Sequence, residues 1–418
     1  MRMEANMSGS VREHDIVVYG ASGFVGVLVA KYLAGHAPAG TRVALAGRSE
    51  SRLAEVRQRL GVDWPILVAD ASDAAAVDRL AASARVVLTT VGPYAKYGKA
   101  LVHSCAAAGT DYVDLTGEVL FARESIDENH ELAAQTGARI VHSCGFDSIP
   151  SDIGVHVLDR QVKADDAGEL TDTTLVVTSM RGGFSGGTID SMRNQLDVIK
   201  NDRRLRRLAA SPYSLSPDRA AEPDLGRQDD MAILNGTEVD PRLRGSLAPF
   251  VMASYNTRVV RRSNALLGWA YGRQFRYREA MSVGASPLSP VLAMVTKVGL
   301  GALVVGLSLP PTRFVLDRIL PKPGEGPSEQ ARNAGHFTID LFTTTSTGAR
   351  YTARFRAKGD PGYAATAVML SESALALIHD RDALPPSSGG VLTPATALGD
   401  ALVNRLRAAG MEITAAKS

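Results

Sequence analysis

Two cysteines in 418 residues, Cys105 and Cys144, are too few for a disulfide framework, and no Cys/His cluster has zinc-ligand spacing. No metal site is expected, and a reducing cytoplasm suits the chain best. Net charge is also scarce. The 46 Lys and Arg against 44 Asp and Glu leave a formal +2, which argues against nucleic acid as a partner. The opening MRMEANMSGSVREHD has acidic residues and no apolar core, so it reads as a frayed leader rather than a signal peptide or anchor. What is present is the composition of a folded protein, 45% hydrophobic and 22% charged, at a length suited to two domains or at most three.

Over 15–149, short apolar runs alternate with helical stretches, the pattern of a parallel sheet covered by helices. IVVYG, VALAG, ILVAD, VVLTT, YVDLT and ARIVHSC read as strands. Each ends in or near Gly, Thr, Asp or Ser, which places polar loops and a ligand at the carboxyl edge of the sheet. After Pro150 the alternation stops. Phe337, Ile339 and Leu341 share a strand face, as do Tyr351, Ala353 and Phe355 after a turn at 345–348, which predicts an antiparallel hairpin. The expected fold is α/β, with a Rossmann-type doubly wound parallel sheet at 1–150. A second, α+β domain with a mostly antiparallel sheet follows at 151–386. Segment 387–418, with Leu398, Leu402 and Leu406 on one helix face, is expected to return to the first domain. Stretches 211–244 and 321–329 read as exposed loops.

The segment YGASGFVG spaces Gly20, Gly23 and Gly26 as GxxGxxG between a buried strand and a helix. Glycines there permit a sharp turn, close approach of pyrophosphate to the backbone, and tight helix packing, while the helix amino terminus attracts the anion. Glycine also punctuates ordinary turns. The flanking strand and helix, and a second strand at the right distance, favour a dinucleotide held by this loop, including Ser22, Phe24 and Val25. That second strand ends in Gly47, Arg48 and Ser49, where an NAD site would place an acid. Arg48 and Ser49, with Arg52 a turn later, can donate charge-assisted hydrogen bonds to a ribose phosphate, so NADPH is expected over NADH. A solvated surface position is the alternative for Arg48. Asp70 reads either as an adenine contact or as a helix cap. Gly92 and Pro93 shape a loop expected beside the nicotinamide ribose, and Tyr94 is either within reach of chemistry or an aromatic wedge.

The runs TTVGPYAKYGKALVHSCAAAGTDYVDLTGE and CGFDSIPSDIG, with YNTRVVRRSNALLGWAYG, GHFTIDLFTTTSTGARYTARF, GDPGYAATAVML and GGVLTPATALGDAL, resemble the saccharopine dehydrogenase-like oxidoreductases. Within that group they are most similar to the mycobacterial trans-acting enoyl reductases. The resemblance covers nearly the whole chain. It implies reduction by NADPH of a double bond conjugated to a thioester, on an acyl chain carried by a polyketide synthase, in making cell-envelope lipids of the phthiocerol dimycocerosate or phenolic glycolipid type. Gly20, Gly23, Gly26 and Arg48 carry over as cofactor residues. Tyr94, Tyr97, Glu118, Asp147 and Ser148 sit in family motifs at strand ends as candidates for the proton donor. Ser151 or Asp152 is open to a helix-capping role. Two alternatives are a saccharopine-type amine oxidoreductase, for which Arg258, Arg261 and Arg262 would grip carboxylates, and a non-catalytic NADP-binding lipid-surface protein.

Segment 283–312 has a single charge, Lys297, and 291–309 is long enough to cross a bilayer. Gly299, Gly301, Gly306 and the flanking Pro290 and Pro310 oppose a simple span. A buried helix or a monotopic lipid or acyl contact are the two open readings, the latter placing the protein peripherally on the inner face of the plasma membrane. KNDRRLRRL at 200–208 and RQFRYR at 273–278 are basic clusters, read as solvated faces or as a docking patch for an acidic carrier domain. A homodimer is compatible with the sequence.

Overall fold

The computed structural model describes residues 12–183, 186–200, 202–320 and 326–418. Residues 1–11 of the expected leader, Asn201 of the basic run and 321–325 of the Pro/Gly-rich loop lie outside the described residues. The first six strands are β1 (His14–Tyr19), β2 (Val43–Gly47), β3 (Ile66–Val68), β4 (Ala84–Thr89), β5 (Asp111–Val113) and β6 (Arg139–Val141). They form a parallel sheet in the order β3-β2-β1-β4-β5-β6. Helices cover both faces, so Ile16, Val17 and Val18 are all fully buried, and the strand reads as a continuous apolar run rather than an alternation. The order reverses between β1 and β4, the crevice where doubly wound sheets bind ligands.

The second sheet is built on β7 (Leu170–Arg181), β8 (Leu234–Asn235), β9 (Ser246–Pro249), β10 (Arg276–Ser282), β11 (His336–Thr345) and β12 (Arg350–Lys358). β11 and β12 are the antiparallel hairpin, with Ile339 opposite Phe355 and Leu341 opposite Ala353. Among the described strands of this second sheet, only β7 and β10 pair in parallel.

Two late strands, β13 (Gly390–Leu392) and β14 (Glu412–Lys417), close the chain on different sheets. β13 extends the parallel sheet beyond β6, whereas β14 adds antiparallel to β12. The expected return of 387–418 to the first domain is therefore divided. It also begins earlier than expected, because helix Thr366–His379 packs on helix Phe24–His36 and on β4. Tyr32 donates to Glu372 at 2.7 Å across that contact. The hydrophobic core runs unbroken from Ile16 in one sheet to Phe337 and Phe355 in the other.

Stretch 211–244 is largely the irregular segment expected, but its first part corrects the exposed reading. Its carbonyls at Pro212, Ser214, Leu215 and Ser216 accept from the buried guanidinium groups of Arg123, Arg261 and Arg262, which pin it to the body. Segment 291–309 corrects the buried-helix reading. It forms helix Ser289–Ser308, of mean hydropathy 2.0 over an 18-residue window that is only 11% buried. A second helix long and apolar enough to cross a membrane, Pro361–His379, is 83% buried and belongs to the core.

Candidate functional site

β1 delivers the chain into the glycine loop. Gly20 has φ +88°, and a Cβ at Gly26 would sit 2.0 Å from the Gly20 carbonyl oxygen, so the loop and the helix starting at Phe24 approach as only glycine permits. A Cβ at Gly20 would meet Val91 at 2.7 Å, which locks this turn against the loop after β4. The cradle fits a dinucleotide pyrophosphate at the helix amino terminus. Gly20, Ser22, Gly23, Phe24 and Val25 line one cavity of about 1090 Å³, while Gly26 lies behind the loop as its packing glycine.

Arg48 reaches the same cavity from the end of β2 and makes no hydrogen bond among the described residues. Ser49 stands just outside, sharing a 3.2 Å hydrogen bond with Ser51. Arg52 lies in a neighbouring depression that shares Ser22 with the cavity. Asp70 lines the cavity, but its Oδ1 accepts from the Ser72 amide at 2.9 Å and hydroxyl at 2.6 Å; Asp73, not Asp70, caps the next helix. Gly92 and Pro93 form the wall beyond β4.

The polar residues at the ends of β5 and β6 divide into anchors and cavity groups. Glu118 is an anchor: Oε1 accepts from the Tyr94 amide at 2.8 Å and from Ser191 at 2.6 Å, and Oε2 accepts from the Ala95 amide at 3.0 Å. Burial raises its pKa against those stabilising bonds, and it does not line the cavity. Tyr94 presents its ring, while its hydroxyl donates to the Thr89 carbonyl at 3.4 Å and accepts from the Leu115 amide at 3.1 Å. Tyr97 is half exposed at the rim.

Asp147 lines the cavity half-buried with no hydrogen bond or ion pair among the described residues, and burial alone pushes its carboxyl up to about 6. Ser148 stands beside it and donates to Asn256 Oδ1 at 3.0 Å. Asn256 in turn donates to the buried Glu279 at 2.9 Å, a carboxyl that burial raises to about 7. Ser151 and Asp152 do not cap their helix, since Ser148 occupies that position. Asp152 instead accepts from Ser263 and from the Ala395 amide, tying the helix to the late segment.

Sequence reasoning missed Ser143 and Tyr255. Ser143, at φ 66°, donates to the Thr116 carbonyl at 2.8 Å and lies 2.5 Å from the Tyr255 hydroxyl, and both residues line the cavity. Their signal was in the motifs HSCGFD and SYNTR, which lie far apart in sequence. Behind them Asp114 accepts from the Ser143 amide and Tyr112, and bonds His142 at 2.7 Å. The opposite wall is apolar, with Leu300, Leu303, Val304 and Val305 from helix Ser289–Ser308.

Residues 16–141 match the saccharopine dehydrogenase NADP binding domain. A Mycobacterium ulcerans (strain Agy99) protein named trans-acting enoyl reductase is 50% identical, over 98% of this chain and 100% of its own length. One of the same name from Mycobacterium tuberculosis (strain ATCC 25618 / H37Rv) is 50% identical over 97% of this chain and 98% of its own. The chain belongs to the trans-acting enoyl reductase family.

Family membership and the matched domain make it an NADPH-dependent oxidoreductase. Apo histidine-tagged saccharopine dehydrogenase (L-Glu forming) from Saccharomyces cerevisiae has the same fold, with a TM-score of 0.52 over 97% of this chain and 100% of that one, at 12% identity. The carboxylate grip expected for saccharopine chemistry is not formed in this enoyl reductase relative. Arg258 pairs with Asp230, Arg261 donates to the Pro212 and Tyr277 carbonyls, and Arg262 donates to those of Leu215 and Val391. All three are buried, and none lines the cavity.

Proposed function

We propose that this protein reduces the carbon–carbon double bond of an α,β-unsaturated acyl thioester, presented on a carrier domain during the assembly of cell-envelope lipids. The observation that carries this reading is a single cavity walled by the glycine loop and Arg48 on one side and by Leu300, Leu303 and Val304 on another, with the unpaired Asp147 among its polar groups. An acyl chain matches the apolar wall, and a reducing dinucleotide matches the glycine cradle. A cavity with two such walls suits hydride transfer to a lipid better than binding alone.

When bound, NADPH supplies the hydride for the β carbon. Arg48 would hold the ribose phosphate, and Gly92 and Pro93 would shape the wall near the nicotinamide end. As the double bond opens, charge moves to the thioester oxygen. The Tyr255 hydroxyl, whose proton otherwise goes to Ser143, turns that proton to the thioester oxygen when substrate is bound. The Asp147 carboxyl then gives its proton to the α carbon and is left as a carboxylate, which solvent reprotonates. Burial suits it to this role by keeping part of the population protonated near neutrality.

Isotope placement tests the reading. With deuterium at the transferable position of NADPH, the label should appear at the β carbon of the saturated thioester, and deuterium from heavy water should appear at the α carbon. Label found at neither carbon would reject conjugate reduction.

A further inference from the structure

We infer that the helical hairpin formed by Ser289–Ser308 and Pro310–Ile319 rests in the interface of an anionic lipid bilayer and opens the substrate cavity toward it. The inference deepens the reading above by naming the surface from which the acyl chain enters. Large exposed apolar side chains are concentrated here. Val291, Met294, Val295 and Val298 stand on the first helix, and Phe314, Val315 and Ile319 on the second, each more than half exposed. Together with Ala302, the first-helix residues recur at helical spacing along the outward side of a rod roughly 30 Å long. An unpartnered stripe of that extent in water marks an interaction surface.

The polar groups on the hairpin suit an apolar medium. Thr296 donates back to the Leu292 carbonyl at 2.9 Å, Ser308 to Val304 at 2.7 Å, and Thr312 to Gly306 at 2.7 Å, so each hydroxyl is satisfied within the hairpin. A protein partner would be recognised by such groups if they pointed outward; a hydrocarbon boundary requires them turned in. Across the hairpin Lys297, Arg313 and Arg318 outnumber the single acid Asp317, a net positive charge that suits anionic headgroups. Lys297 is the only charged residue of 283–312, and the Arg318 guanidinium lies 3.8 Å from the Phe314 ring centroid, a basic-aromatic pairing suited to the headgroup level.

The geometry favours lying on the bilayer over crossing it. The amino end is tied to the second sheet, where Ser289 accepts from the Ser246 amide at 3.0 Å, and Arg313 is ion-paired to Asp197 on a neighbouring helix at 2.8 Å. Between those ties Leu300, Gly301, Leu303, Val304 and Val305 line the cavity. The same helix thus presents one face outward and walls the substrate space with the other.

Flotation of the full chain with vesicles tests this, using phosphatidylcholine alone and phosphatidylcholine mixed with phosphatidylglycerol. The parent should float with the mixed vesicles and more weakly with phosphatidylcholine alone. Val295→Asp and Val298→Asp, which lie outside the cavity, should each reduce flotation tenfold or more while retaining NADPH affinity and turnover of a short soluble thioester. Absence of flotation by the parent, or unchanged flotation by both variants, would overturn the proposal. So would a parent that sediments as a dimer, ignores vesicles and becomes monomeric on either substitution, since the face would then join two copies. Flotation needs no turnover, so its failure is separable from failure of the enoyl-reduction reading.

Discussion

Arg48 is exposed and makes no hydrogen bond among the described residues, so the fold does not require it, and its position at the end of β2 suits a ribose phosphate. Replacing it with Asp exchanges a charge-assisted contact for repulsion. NADPH affinity should fall tenfold or more, about 1.4 kcal/mol or greater, with a smaller change for NADH. Isothermal titration with both cofactors checks this; equal small losses would remove Arg48 from the phosphate site. In the proposed mechanism the active form of Asp147 is the protonated one, and burial pushes its carboxyl up to about 6. The rate should therefore fall as pH rises through that value. Asp147→Asn should lower kcat by roughly a hundredfold or more and erase this limb of the pH profile while NADPH affinity holds. A variant that keeps both the rate and the limb would transfer the proton to another group.

The glycine loop works as an element because three atoms share one small space. In Gly26→Ala the new methyl would stand 2.0 Å from the Gly20 carbonyl oxygen, so the loop must separate from the helix that starts at Phe24. NADPH binding should drop at least tenfold and thermal stability should fall with it, as titration and calorimetry would show; unchanged binding would mean the loop tolerates the shift.

Such local elements were legible in the sequence, since a buried strand, three spaced glycines and a helix are neighbours in the chain. The β11–β12 hairpin was legible for the same reason, its alternation being local. Long-range returns were not. Nothing in helix Thr366–His379 announces that it packs against helix Phe24–His36, nor that β14 leaves β13 for the other sheet. Ser143 and Tyr255 escaped notice because their pairing spans 112 positions. Arg258, Arg261 and Arg262 looked like ligands for carboxylates, but in the fold their charges serve an irregular segment of the same chain. The apolar run at 291–309 showed its hydrophobicity plainly, yet periodicity alone does not say which side of a helix finds a partner.

At the scale of the whole molecule, two sheets share one core and line one cavity, and under the proposed function a carrier domain would bring the acyl chain to it from outside. Helix Arg203–Ala210 presents Arg203, Arg204, Arg206 and Arg207 to solvent on a chain whose net charge is only +2. Opposite charge on the carrier would raise the encounter rate. Changing all four to Ser should slow reduction of a carrier-bound substrate severalfold and spare a small thioester, and added salt should mimic the loss in the parent. Equal rates for parent and variant on the carrier-bound substrate at low salt would dismiss this patch. The most direct test of the whole account is turnover itself. Purified protein, NADPH and a carrier-bound enoyl thioester are followed by absorbance and by the mass of the acyl product. NADPH oxidation should be matched one for one by a product heavier by a hydride and a proton. Tight NADPH binding with neither oxidation nor a mass change, on both carrier-bound and free thioesters, would contradict it.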